Sequence, residues 1–469
     1  MNELIQLTAT DLKGRLDRNE ISPLEVMQAY ADRIEAVNPI VNAIPTLCLE
    51  QALEQAAELT RKNPKLEDRG VLWGLPLAVK DYNDLAGVKT TYGSPIFAEN
   101  IASASDATVR KLLASGAVPV GKANVPEWAG AHTFNPVFGH TRNPWNLEVS
   151  AGGSSGGSAA ALATGMTALA TGNDLGGSLR VPASFNGVVG LRPTPGRVPR
   201  GARLPAFDTL WVEGPMGRSV ADVALMLDGG AGFDAEDPMS FSSAGESFVQ
   251  GLERSDLPKR VAFSADLGAV PVEKEVSYLC HQAAQRFSEM GVEVVEVAPD
   301  FTDVVESFQT LRGILVAQMM EEILKKHRDQ IAPEIIWNIE KGLAVTNPEL
   351  LHAERVRSAL YHRMASFFQT YDLLLCPAVS VPPFPKAQRY VEKINGQPTK
   401  TYIDWIAITF AITMTACPAL SLPIGYTRSG LPVGLQMIAP ARAESALLRA
   451  AYRAEALFDC VSKVPLDPR

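Results

Sequence analysis

Apolar residues recur at three- and four-residue spacing through the first 65 positions of this 469-residue chain, which predicts helices there. Ser22-Pro23-Leu24-Glu25 reads as a capping box with proline at the first helical position, and Leu24, Met27, Ala31 and Ile34 follow on one helical face. Residues 48–62 repeat the pattern. Such helices suit the cover of a sheet or of a neighbouring copy, so a homodimer is compatible with this region.

From residue 74 the pattern changes. Gly74-Leu-Pro-Leu-Ala-Val-Lys80-Asp81 is a short apolar run ending in charge, which predicts a buried strand with Lys80 at its end, where the strand leaves the sheet. A helix is expected over 106–115 and a strand over 117–121, followed by a long irregular segment, 124–150, rich in aromatics. Farther on, helix 219–227, strand 260–264, helix 272–289, strand 292–297 and a long helix over 304–328 suggest a βαβ-like peripheral unit between about residues 235 and 370. The similar stretches Cys376-Pro-Ala-Val-Ser-Val-Pro382 and Cys417-Pro-Ala-Leu-Ser-Leu-Pro423 predict two related buried strands, and residues 443–458 a closing amphipathic helix.

The segment 150–197 stands apart, because glycine and serine are concentrated inside apolar, helix-capable sequence. Its flanks, alanine-rich over 158–170 and apolar over 185–191, argue against a linker. The glycines belong to a packed core in which backbone approaches backbone or ligand closely.

Composition narrows the function classes. A formal charge of −9, from 43 basic and 52 acidic residues without long runs, offers no electrostatic footprint for nucleic acid or an anionic membrane. Five scattered cysteines with no CxxC suggest neither a disulfide framework nor a zinc site, and read as packing residues. With no leader-like amino terminus and no long apolar run, a cytoplasmic protein is expected.

Gly152-Gly-Ser154-Ser155-Gly156 formally fits a G-x-S-x-G nucleophile elbow, but the preceding Thr141–Leu147 reads as a loop where an elbow needs a strand, and no histidine stands in a triad context. A buried, neutral lysine can replace histidine as the base. Lys80 is the candidate; taken alone, it better suits a lysine snorkelling from a strand edge.

Asp174-Leu-Gly-Gly-Ser178-Leu-Arg180-Val-Pro182, downstream of Gly152-Gly-Ser-Ser-Gly-Gly-Ser158, resembles the signature of the amidase signature family of C–N hydrolases. Leu77-Ala-Val-Lys80-Asp81, Gly121-Lys-Ala-Asn-Val-Pro-Glu127, Gly139-His-Thr-Arg-Asn-Pro-Trp145, Gly190-Leu-Arg-Pro-Thr-Pro-Gly-Arg197 and Gly430-Leu-Pro-Val-Gly-Leu-Gln436 extend the resemblance in order over nearly the whole chain. It implies an α/β fold, a central mixed β-sheet covered by helices on both faces. It also implies one domain spanning 1–469: a helical region over 1–65, a catalytic core over 66–235, the peripheral subregion over about 235–370 and a return to the core over 371–469.

The resemblance further implies a Ser-cisSer-Lys triad, with Ser178 as nucleophile, Ser154 as relay and Lys80 as base, and an oxyanion hole from the amides of Leu175, Gly176, Gly177 and Ser178. Neither cofactor nor metal is implied. Ser155 either bonds Lys80 or caps the helix that follows. Asp174 and Arg180 either anchor the loop from behind or form a solvated pair. Trp128, Trp405, Ile406 and Phe410 are candidates for a substrate pocket, with ordinary core the alternative for the aromatics.

The implied activity is hydrolysis of a small-molecule carboxylic amide to acid and amine, with esters and carbamates as related substrates. The rival is the glutaminase component of a glutamyl-tRNA amidotransferase, which works in a multi-protein complex. Such glutaminases resemble one another in carrying, three residues before a threonine, an Asp that holds the glutamine amine. Here Ile406 stands three before Thr409, with Asp404 displaced by two.

Overall fold

The computed structural model describes every residue except Ala129, Arg203, Ala244 and Glu246. Its centre is an eleven-stranded mixed sheet. In chain order the strands are β1 (Thr46–Leu47), β2 (Pro76–Lys80), β3 (Val118–Ala123), β4 (Leu169–Asp174), β5 (Val189–Arg192), β6 (Val212–Gly217), β7 (Arg260–Phe263), β8 (Glu293–Glu296), β9 (Leu373–Pro377), β10 (Ala419–Tyr426) and β11 (Pro432–Ile438). Across the sheet they run β1-β3-β2-β4-β6-β5-β10-β11-β9-β7-β8. Helices flank it: α1 (Pro23–Val41), α2 (Leu49–Lys62), α3 (Gly156–Ala163), α4 (Arg180–Asn186), α5 (Val220–Gly230), α6 (Lys274–Gln285), α7 (Val304–His327), α8 (Pro333–Leu343), α9 (Asn347–Phe367), α10 (Ala407–Thr413) and α11 (Glu444–Phe458).

The expected helices and strands are present, except that the strand expected over 376–382 ends at Pro377. The Ser22–Glu25 capping box opens α1, although Leu24 is 37% exposed and only Met27, Ala31 and Ile34 of the expected stripe are buried. Leu24 lies within the first turn, on the outer face of the helix. The two Cys-Pro stretches part: Cys376 and Pro377 end β9 and residues 378–382 lie beyond it, whereas residues 419–423 belong to β10; β9 and β10 pair antiparallel with opposite edges of β11. The strands of the expected βαβ-like unit extend one end of the sheet: β7 pairs parallel with β9 and β8 with β7.

The segment 124–150 carries more structure than expected. Phe134–Asn135 pairs with Gly139–His140, and Arg142–Asn143 with Asn146–Ser150, as two small hairpins off the main sheet. A strand therefore does precede Gly152, correcting the loop reading of Thr141–Leu147. Short hairpins leave too little period-2 patterning to stand out from a loop.

What positions the site is the parallel pairing of β2 with β4, in register at Leu77–Leu169 and Ala78–Ala170. Both strands end at one edge of the sheet and deliver Lys80 and Asp174 there together. The alanines of α3 share a core with Ala78, Ala123, Ala170 and Met216. Small side chains let this helix approach closely: a Cβ on Gly157 would lie 2.3 Å from the amide nitrogen of Asn124.

Candidate active site

Lys80 is wholly buried at the end of β2. Its Nζ lies 2.8 Å from Ser154 Oγ, 2.8 Å from Ser155 Oγ and 2.6 Å from Asn173 Oδ1, and it stands over the Tyr82 ring, 4.9 Å from the centroid. Burial lowers its pKa from the ordinary 10.5 to about 7, against the opposing pull of the Glu213 and Asp174 carboxylates. Lys80 is therefore not a snorkelling lysine. The Gly153–Ser154 peptide bond is cis.

Ser155 caps α3 by position only. Its hydroxyl makes no bond to the first turn and meets Lys80 instead, while its amide donates to the Ser178 carbonyl at 3.3 Å. Ser178 follows β4 in a turn, partly open to solvent. Ser154, Ser178, Asn173, Leu175 and Gly176 line one pocket.

Behind the turn, Asp174 and Arg180 form a pair at 2.9 Å, both at zero exposure, so the solvated alternative fails. Arg192 adds a second cation at 3.4 Å, and Arg180 reaches Gln436 Oε1 at 2.5 Å and the Thr409 carbonyl at 2.8 Å, tying the turn to β11 and α10. Burial raises the Asp174 pKa, but the two guanidiniums and the hydrogen bonds outweigh it and hold the carboxyl well below the usual carboxylate range. A buried carboxylate needs several donors, and Asp174 also takes the amides of Gly177 at 2.8 Å and Leu179 at 3.1 Å.

That bond corrects one expectation. The Gly177 amide is donated to Asp174, and Gly177 is not among the residues lining the pocket, whereas Leu175, Gly176 and Ser178 of the four expected donors are. Gly177 is needed for its backbone instead. Its φ is +130°, and a Cβ there would come within 2.2 Å of Thr409 Oγ1, which itself donates to the Gly176 carbonyl at 2.7 Å.

The pocket candidates divide. Trp128 and Ile406 line the pocket with Tyr82, Trp211 and Phe308. Trp405 does not: fully buried, it packs against Phe185 and Phe384 and donates its indole N–H to the Tyr402 carbonyl at 3.1 Å. Phe410 also lies in the core, stacked on Phe308 with centroids 4.3 Å apart, so it supports the wall from behind. A second, apolar cavity shares Tyr82, Trp128, Leu175 and Trp211 with the first and continues to Leu315, Met319 and Met320.

Asn173 escaped the sequence reading, yet a signal was available. Thr171 and Asn173 are polar at alternate positions of a buried strand, so they share a face and need partners. Thr171 Oγ1 accepts the Lys80 amide at 2.8 Å and Asn173 Oδ1 takes Nζ. Tyr82, Trp211 and Phe308 carried no such mark. Among the described residues no group of three or more His, Cys, Asp or Glu could hold a metal ion, and no helix is long and apolar enough to cross a membrane. All five cysteines are buried and free.

The family model described as Amidase matches residues 25–448. The chain belongs to the amidase signature family. This amidase is 36% identical over 468 residues to the acylamidase of Rhodococcus erythropolis, covering 98% of this chain and 97% of that one. It is 34% identical over 480 residues to the A component of the glutamyl-tRNA(Gln) amidotransferase of Geotalea daltonii, covering 97% of each. Among solved structures it resembles a bacterial aryl acylamidase of the amidase signature enzymes, with a TM-score of 0.89, 28% identity and coverage of 98% of this chain and 99% of that one. The amidase thus shares its fold and length with hydrolases of non-peptide C–N bonds.

Proposed function

We propose that this amidase cleaves an apolar or aromatic acyl amide through an acyl-Ser178 intermediate, with Ser154 and Lys80 moving the proton. The observation that carries the reading is the buried Lys80 amine within 2.8 Å of Ser154 Oγ, on the pocket that Ser178 also lines. Neutral Lys80 accepts the Ser154 hydroxyl proton as Ser154 takes the proton of Ser178 and the Ser178 Oγ–C bond forms. The amides of Leu175, Gly176 and Ser178 donate to the carbonyl oxygen as it gains charge. The relay then returns the proton to nitrogen, the C–N bond breaks and the amine leaves. Water deacylates Ser178 by the same route, giving the acid.

The substrate class follows from the walls. Tyr82, Trp128, Trp211 and Phe308 beside the reacting serine, with Leu315, Met319 and Met320 beyond, suit an aryl or alkyl acyl group. Ile406 supports the hydrolase reading over the glutaminase one, because an apolar side chain leaves a substrate ammonium unpaired. Asp404, the nearest carboxylate in sequence, is occupied by the amides of Lys400 and Thr401 and the Thr401 hydroxyl. The test is turnover by the isolated chain. An anilide with an apolar acyl group should be hydrolysed without partner proteins, and glutaminase activity in its place would overturn the reading.

A further inference from the structure

Asn173 stands at the penultimate position of β4, 2% exposed, opposite Glu213 of β6 in the antiparallel ladder. A neutral primary amine has two N–H donors and one lone pair. Four oxygens surround Lys80 Nζ: Ser154 and Ser155 Oγ, each at 2.8 Å, Asn173 Oδ1 at 2.6 Å and, longer and so weaker, the Asn173 main-chain carbonyl at 3.3 Å. For Lys80 to take the Ser154 proton, its lone pair must face Ser154 and both N–H groups must be donated elsewhere. Ser155 can accept one, but its hydroxyl can equally donate and claim the lone pair for itself. An amide oxygen can only accept.

We propose that Asn173 is a positioning residue whose Oδ1 takes one N–H of neutral Lys80 and so aims the lone pair at Ser154. The inference rests on Lys80 acting as the base. In this orientation of the amide, Asn173 Nδ2 is buried with no partner among the described residues, and Asn173 lines the pocket of Ser154 and Ser178. Reversing the amide would set an N–H against Nζ, occupy the lone pair and disable the relay.

The charged and titratable groups around this pair come from several elements. Glu213 faces it from β6, accepting from Asn83 at 2.9 Å and Trp211 at 3.0 Å; Asp174 lies beside it with Arg180 and Arg192. Tyr82 lies under Nζ, Asp81 just after β2 pairs with Lys122 of β3 at 3.1 Å, and Arg312 lines the pocket from α7. From the turn before α3 come the hydroxyls of Ser154 and Ser155.

The test measures kcat and KM of the full chain on an anilide from pH 5.5 to 10. Asn173→Asp places a carboxylate against Nζ and favours the ammonium. The acid limb of kcat/KM should move alkaline by about one pH unit or more, with KM changed less than about threefold. Asn173→Leu keeps the volume and removes the acceptor, and kcat should fall about thirtyfold or more across the range while KM holds. A profile for Asn173→Asp that superimposes on the parent, or a kcat for Asn173→Leu within about twofold of it, would overturn the proposal. If Asn173→Asp does not fold by thermal melting, Asn173→Ser replaces it: a shorter hydroxyl that can also donate should lower kcat without moving KM, and an unchanged kcat would sink the idea. Lys80→Ala separates the two levels. Retained anilide turnover there removes the base and this inference together, whereas loss there with an unmoved Asn173→Asp profile overturns the Asn173 role alone.

Discussion

The backbone amide of Ser155 donates to the carbonyl of Ser178 across 3.3 Å, joining the glycine-rich turn before α3 to the turn after β4. Two loops 23 residues apart are thereby held as one wall of the pocket. Perturbing either should be felt at the other, and the consequences can be measured separately for chemistry, proton balance, scaffold and pocket.

Ser178→Ala should abolish anilide turnover, by about 10³-fold or more, and labelling by a fluorophosphonate probe, with the melting temperature within a few degrees of the parent. Labelling that persists would mean another nucleophile.

Anilide turnover should depend on neutral Lys80. With the amine titrating at about 7, kcat/KM should rise with pH through neutrality and level off above it. A flat profile from pH 5.5 to 9 would remove Lys80 from the role.

The same depressed pKa has a stability consequence that runs in the same direction with pH. Between about 7 and the ordinary 10.5 the unfolded chain holds a proton that the folded one does not, so this group's contribution falls as pH drops from 10.5 toward 7. Lys80→Met, inactive, should therefore gain stability relative to the parent most at neutral pH, with the difference shrinking toward pH 10. Urea denaturation of both proteins at pH 7 and 9.5 reads this directly.

Asp174→Asn should be a folding defect before it is a kinetic one. It removes the carboxylate between Arg180 and Arg192, both at zero exposure, and loss of one member of a buried pair costs about 3–5 kcal/mol. The urea midpoint should fall accordingly; a change under about 1 kcal/mol would show that the guanidiniums find other acceptors.

Trp128 and Trp405 should behave oppositely. Trp405→Ala opens a cavity in the core and should cost about 3–5 kcal/mol. Trp128→Ala trims the pocket wall and should raise KM for aryl acyl substrates, with the smaller loss of stability. Equal kinetic effects would place both on the substrate.

Much of this protein was legible in one dimension because its signals are local. The capping box of α1 and the strand ending in Lys80 depend on a few neighbouring residues, and glycine and serine placed against the apolar grain mark where the backbone must pack closely. The motif order over nearly the whole chain carried the family and the identity of Lys80, Ser154 and Ser178. What no local pattern could decide was which groups face each other. Only the parallel pairing of β2 and β4 brings Asn173 to Lys80, only the burial of Asp174 with two arginines commits the Gly177 amide to that carboxylate, and only packing separates Trp128 on the wall from Trp405 in the core. Those outcomes depend on desolvation and on competition for hydrogen-bond partners between residues distant in sequence, and the tertiary structure alone settles them.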